Sequence, residues 1–245
     1  MGSTGKTSSS PFDGALHLHD EDSSTQLTKI RQLQRDMGQT GDEAGRADLP
    51  TGSRQKLYVR TSKAFDINYY LNTGIVGAPG SDWTTRMGYT KDMIESDIRK
   101  IDSGMKPMSE SMIAYRYVTQ ESLANILGVS RSDVSSYIAS MKSDPEGTGK
   151  LLGGVLKTTD YVQKAYSSLS YDKRHSTFDQ YPIRFRTVVA QGTPAIVTNN
   201  TAEHEILGGR NSRYDFTGDV RIVNERSAAT GRNQDYLEID VVLRR

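Results

Sequence analysis

Cysteine does not occur among the 245 residues. Its absence excludes disulfides, thiolate nucleophiles and Cys-ligated zinc together. Excess charge is lacking too: 31 Lys and Arg against 30 Asp and Glu leave a formal net charge of +1, so no polyelectrolyte field points to nucleic acid or to an anionic membrane. No apolar run approaches the ~18 residues of a membrane-spanning helix, and no stretch has the pattern of a signal peptide. These absences predict a soluble protein that acts in a cytoplasm, its own host's or that of a target cell after delivery, with no nucleic acid and no membrane as partner. Apolar residues make up 35%, lean for a chain packed throughout, so part of it is expected to be disordered.

Composition places that disorder at the start. Residues 1–50 are rich in Ser, Thr, Gly and Asp and read as a flexible, mostly disordered arm, with one helix-capable segment over residues 26–37. The run Gly2-Ser3-Thr4-Gly5-Lys6-Thr7 is two residues too short between its glycines for a phosphate loop. His17-Leu18-His19-Asp20 has donor atoms for a metal but no further histidine nearby, so it reads as polar tail and no metal site is expected.

From Lys56 the texture changes. A short strand or turn leads into a helix over about residues 63–72, ended by Gly74, and Ile94, Ile98 and Ile101 then recur at helical spacing. Met112 to Val118 reads as a strand with Arg116 in its middle, and residues 121–128 and 131–142 as two short helices. The remainder is strand-like: residues 185–190, 195–198, 205–209, 213–218, 220–224 and 236–243, parted by Gly-, Asn- and Pro-containing turns. Helices first and strands later predict an α+β domain over residues 51–245, built on antiparallel sheets.

Two places in this pattern carry chemistry. In the run from Thr201 to Leu207, Glu203 and Glu205 flank His204. Read as an extended strand, alternation puts both carboxylates on one face, an unfavourable pairing unless water screens it or positive charge lies opposite. Arg116 lies in an otherwise apolar strand, where a charge is costly without a partner. Its fork of donors suits a phosphate or a carboxylate, so an anionic ligand and a structural ion pair are both open readings.

Taken in order, these segments resemble the mono-ADP-ribosyltransferases, in particular the bacterial and phage exoenzyme branch with its Arg, Ser-Thr-Ser and Glu-x-Glu signature. The resemblance covers about residues 56–245. It rests on Tyr58 to Thr61 before Ile67-Asn68-Tyr69-Tyr70-Leu71, on Tyr115-Arg116-Tyr117-Val118, on Tyr166-Ser167-Ser168-Leu169-Ser170, and on Glu203-His204-Glu205-Ile206-Leu207. Two positions depart from the pattern: Tyr117 stands where a small residue is usual, and Leu169 replaces the middle threonine.

The resemblance implies two packed antiparallel sheets with N-terminal helices, NAD+ as co-substrate without a metal, and transfer of ADP-ribose to a protein with release of nicotinamide. It implies that Glu205 steadies the oxocarbenium-like ribose in the transition state, that Ser168 holds Glu205 in register, and that Arg116 and Tyr117 line the dinucleotide groove. Phe178 occupies the place of an aromatic that packs on the nicotinamide ring, where a pyridinium over the ring face gains about 0.5–2 kcal/mol. Tyr115 and Tyr166 are expected to pack in the core. An acidic residue at position 203 accompanies arginine as acceptor in the family, and glutamine there accompanies other acceptors. The logic is physical: an arginine stays protonated at ordinary pH and needs a carboxylate to take its proton late in the reaction. Residues 191–201 are expected to help present the protein target. Two further readings stay open, an NAD+ glycohydrolase toxin and a catalytically inactive binding or virion protein of the same fold.

Overall fold

The computed structural model describes residues 10–39, 63–80, 88–175, 178–197 and 204–245. The Gly2–Thr7 run, the stretch from Lys56 to Thr61, residues 198–201 and Glu203 lie outside the described residues.

Helix α1 (Ser23–Asp36) starts at an Asp22 cap that accepts from the amides of Ser24 and Thr25. Over residues 10–39 the structure differs from the expected loose arm. Leu18, Ile30 and Leu33 are buried in the main core, and the chain adds a bridge between Leu16 and Met112. Polar side chains do the rest: Gln26 Nε2 donates to the Leu18 carbonyl at 2.8 Å, and Gln34 Nε2 to the Val197 carbonyl at 2.8 Å. His17 and His19, expected in a polar tail, instead bond Tyr115 Oη and Asp172, each at 3.0 Å.

Helix α2 (Lys63–Thr73) and helix α3 (Lys91–Gly104) follow, the second capped by Thr90. Ile94, Ile98 and Ile101 form the expected stripe and pack with Ile67, Tyr89, Tyr166, Ile196 and Leu207 in a second core. Helix α4 (Gln120–Leu127) ends on Gly128, whose φ of 68° lies in the left-handed region. Helix α5 (Arg131–Ser143) opens with a Ser130–Asp133 capping box, and helix α6 (Pro145–Lys157) with Asp144 as its cap.

The strands are β1 (Lys106–Pro107), β2 (Met112–Val118), β3 (Tyr161–Gln163), β4 (Ser167–Ser170), β5 (Ile183–Val189), β6 (Pro194–Val197), β7 (Glu205–Gly208), β8 (Ser212–Arg226) and β9 (Asn233–Arg244). They lie side by side in the order β1-β6-β7-β4-β2-β5-β9-β8-β3. The fold is α+β, as the sequence predicts. Its two halves, β1-β6-β7-β4 and β2-β5-β9-β8-β3, meet through one residue pair, Tyr115 with Ser170. All pairings between these strands are antiparallel except β5 with β9, which is parallel; the Leu16–Met112 bridge is parallel too. The two segments read as separate strands at 213–218 and 220–224 merge into β8, with an irregularity between Phe216 and Val220.

Helix α6 escapes the periodicity reading because Gly147, Gly149, Gly153 and Gly154 depress its helix propensity. Packing explains one of them. A Cβ on Gly153 would stand 2.2 Å from the carbonyl oxygen of Gly218 in β8, so only glycine admits this approach. Gly153→Ala gains about 1 kcal/mol of helix propensity but has to push α6 off a backbone atom, at about 1–3 kcal/mol. The expected net result is a lower thermal midpoint, and a raised one would show that α6 slides freely on β8.

Candidate active site

The register of β4 against β7 pairs Ser170 with Glu205 and Ser168 with Leu207. Paired positions and positions two apart share a face, so Ser168, Ser170 and Glu205 point the same way, next to the core formed with α2 and α3. Ser168 is exposed, while Glu205 is 2% exposed. Ser168 Oγ donates to Glu205 Oε1 at 2.7 Å. A carboxylate on a rigid strand accepts hydrogen bonds from hydroxyl groups, and its charge favours a cation formed in front of it.

The strand carrying Glu205 starts at that residue. His204 before it has a φ of 48°, in the left-handed region, and its ring stands edge-on to Tyr171 with centroids 4.9 Å apart. The Tyr171 amide donates to the His204 carbonyl at 2.8 Å. The extended geometry expected across Glu203-His204-Glu205 therefore does not run through His204.

Arg116 takes a different position from the one the motif suggests. Because Tyr115 is the residue paired with Ser170, alternation turns Tyr115 and Tyr117 toward the face of Ser168 and Glu205 and turns Arg116 to the other. Arg116 Nη1 donates to Tyr214 Oη at 2.8 Å, and Tyr214 Oη donates to Ser167 Oγ at 2.8 Å. The guanidinium is thus joined, through one tyrosine, to the residue beside Ser168.

Tyr117 is buried. Its hydroxyl donates to the Lys173 carbonyl at 3.3 Å and accepts from Arg184 Nη1 at 3.4 Å, and burial pushes its phenol well above the ordinary value. Phe178 lies in the segment between β4 and β5, is 48% exposed, and stacks on Tyr181 with centroids 5.9 Å apart. Tyr166 packs in the core as expected, with its hydroxyl on Asp102 at 2.6 Å, and Tyr115 is buried. Of the segment expected to present a target, residues 191–197 form a turn and β6.

Sequence reading passed over Arg184, which is 1% exposed and pairs with Glu225 and Glu238 on the face of Tyr117. A signal was present: Arg184 and Arg186 alternate in one strand as Glu238 and Asp240 do in another, and the register sets each arginine beside its acid. A cavity of about 570 Å³ opens elsewhere, between Lys150, Arg186, Arg221 and Gly218, and none of the candidate residues lines it.

A family described as ADP-ribosyltransferase exoenzyme matches residues 53–244. The chain belongs to the ADP-ribosyltransferase exoenzyme family. The transferase is similar in structure to C3stau2 from S. aureus, solved with NAD: the TM-score is 0.64 at 17% identity, over 94% of this chain and 99% of that one. It is similar to BECa of a C. perfringens binary enterotoxin, solved with NADH, at a TM-score of 0.63 and 17% identity, over 94% of this chain and 50% of that one. The Clostridium limosum C3 exoenzyme gives 0.57 at 16% identity, over 95% of this chain and 99% of that one. No curated protein matches this chain. At such identities the likeness speaks for the fold, and the family match for an ADP-ribosyltransferase. Among the described residues, no helix of the transferase is long and apolar enough to cross a membrane.

Proposed function

We propose that this transferase moves ADP-ribose from NAD+ to an arginine side chain of a target protein. The observation that carries the reading is the 2.7 Å bond from Ser168 to the buried carboxylate of Glu205. The residues present fit the co-substrate by their chemistry: a carboxylate is an acceptor that suits a ribose hydroxyl, and the aromatic ring of Phe178, 48% exposed, suits a cationic pyridinium.

In the reaction the bond between ribose C1′ and the nicotinamide nitrogen breaks, and its electron pair leaves with nicotinamide. Glu205 stabilises the positive charge that develops on the ribose, and Ser168 fixes the carboxylate that does so. A guanidinium nitrogen of the target then bonds C1′, and Glu203 takes the proton it releases. Arg116 supports the site from behind through Tyr214 and Ser167.

Incubating the purified chain with NAD+ and a cell lysate, followed by mass spectrometry of peptides, tests the acceptor. The expected adduct is ADP-ribose on arginine. Glu203→Gln should keep nicotinamide release while lowering arginine modification by about 10²-fold or more. Adducts on another residue type would overturn the arginine assignment, and nicotinamide release without any adduct would make the protein a hydrolase.

A further inference from the structure

The segment from Ser170 to Ile183 joins the strand of Ser168 to β5 and carries Phe178. Near its start Asp172, fully buried, accepts from His19 Nδ1 at 3.0 Å, from Gln26 Nε2 at 2.9 Å and from Arg174. Burial alone would raise this carboxyl, yet those donors hold it well below the usual carboxylate range. Lys173 adds a 2.7 Å bond to Glu225.

Near the other end the fixation is denser. Asp179 is 2% exposed, and its side chain docks on the turn between β8 and β9. Its carboxylate accepts from Ser227 Oγ at 2.9 Å and from the amides of Ala228 and Ala229. Its carbonyl accepts from Gln234 Nε2 at 2.6 Å and from Tyr236 Oη at 2.9 Å. Residue 178 opens a turn closed by the Tyr181 amide on its carbonyl at 3.0 Å. The side chain of Asp179 is thus buried below the turn while Phe178 and Tyr181 stack outside it, 16° from parallel.

An apolar ring half in water adds little to folding, whereas Asp179 next to it is held by five donors, three on its carboxylate and two on its carbonyl. The ordering entropy that a ring-stacking residue normally loses on binding is thereby spent during folding. We propose that Asp179 is a positioning residue for Phe178, seating its ring against the nicotinamide ring of NAD+. This rests on the reading given under Proposed function.

The test is a double-substitution cycle on the full chain, reading KM for NAD+ and kcat for nicotinamide release in the original protein, Phe178→Ala, Asp179→Ala and the double variant. Each single change should raise KM about 3- to 30-fold with kcat little altered. The double variant should be no worse than Phe178→Ala alone, because a ring already absent cannot be misplaced. A residue that serves stability alone would lower the thermal midpoint without this loss of additivity. If Asp179→Ala fails to fold, Gln234→Ala takes its place, with a smaller KM effect in the same direction. Multiplying effects, or an unchanged KM in a folded Asp179→Ala protein, would overturn the proposal while leaving the transferase reading intact. An original protein that releases no nicotinamide would remove both.

Discussion

Glu205→Gln should lower the rate of nicotinamide release by about 10²–10³-fold, the range found when one preorganised charge-stabilising group is removed. The change is nearly isosteric. Glutamine keeps an oxygen for the Ser168 hydroxyl, and the β4–β7 register that places the residue is made by backbone, so neither depends on the charge. What disappears is the negative charge opposite the ribose at the moment it becomes cationic. Neutralising a carboxylate that is 2% exposed also removes a desolvation penalty, so the variant should melt no lower than the original and bind NAD+ with similar affinity. Chromatographic assay of nicotinamide, calorimetric titration with NAD+ and thermal denaturation check the three parts. Release at the original rate from a folded variant would assign the chemistry to another carboxylate.

The elements nearest this chemistry were legible because their residue types and order are local facts. Ser168 and Glu205 could be picked from the sequence, and the structure brings them together. The face of Arg116 could not be read that way. It depends on which residue of β2 meets Ser170, and register across strands more than fifty positions apart is set by packing and not by a local pattern. His204 misled for a related reason: an extended Glu-x-Glu was the natural reading, but the backbone turns left-handed one residue before the strand. The N-terminal segment looked disordered because it has few apolar residues. Its order draws on Gln26 reaching the Asp172 carboxylate and Gln34 the Val197 carbonyl, both far along the chain, which composition does not report. The parallel run of β9 beside β5 was hidden too, since alternation identifies a strand and leaves its neighbour open.

Arg184→Met should destabilise the fold by about 3–5 kcal/mol, the cost of leaving buried acids without their cation. Arg184 is 1% exposed. Its Nε donates to Glu238 at 2.6 Å and its Nη1 to Glu225 at 2.8 Å, with the Tyr236 ring centred 4.9 Å from the guanidinium carbon. Burial would lower its pKa, but the two acids raise it above the ordinary value. Methionine fills the space and offers nothing to Glu238, which retains only Arg221 among the cations described beside it. Adding Glu238→Leu should recover much of the loss, because a buried pair replaced as a whole by apolar groups costs far less than a broken one. The pH profile supplies a second readout. Burial raises the Glu225 carboxyl, yet Arg184 and Lys173 outweigh it and hold the group down at about 2 from an ordinary 4.5. A depressed carboxyl contributes stability that is present above its unfolded value and is lost as pH falls through the folded one, so the original protein should weaken between about pH 4.5 and 2. Arg184→Met removes part of that depression, and its stability should fall less steeply over the same window. Urea denaturation at several pH values measures both effects. A single variant within about 1 kcal/mol of the original, with an unchanged acid slope, would mean that Arg184 is held by the fold and contributes little to holding it.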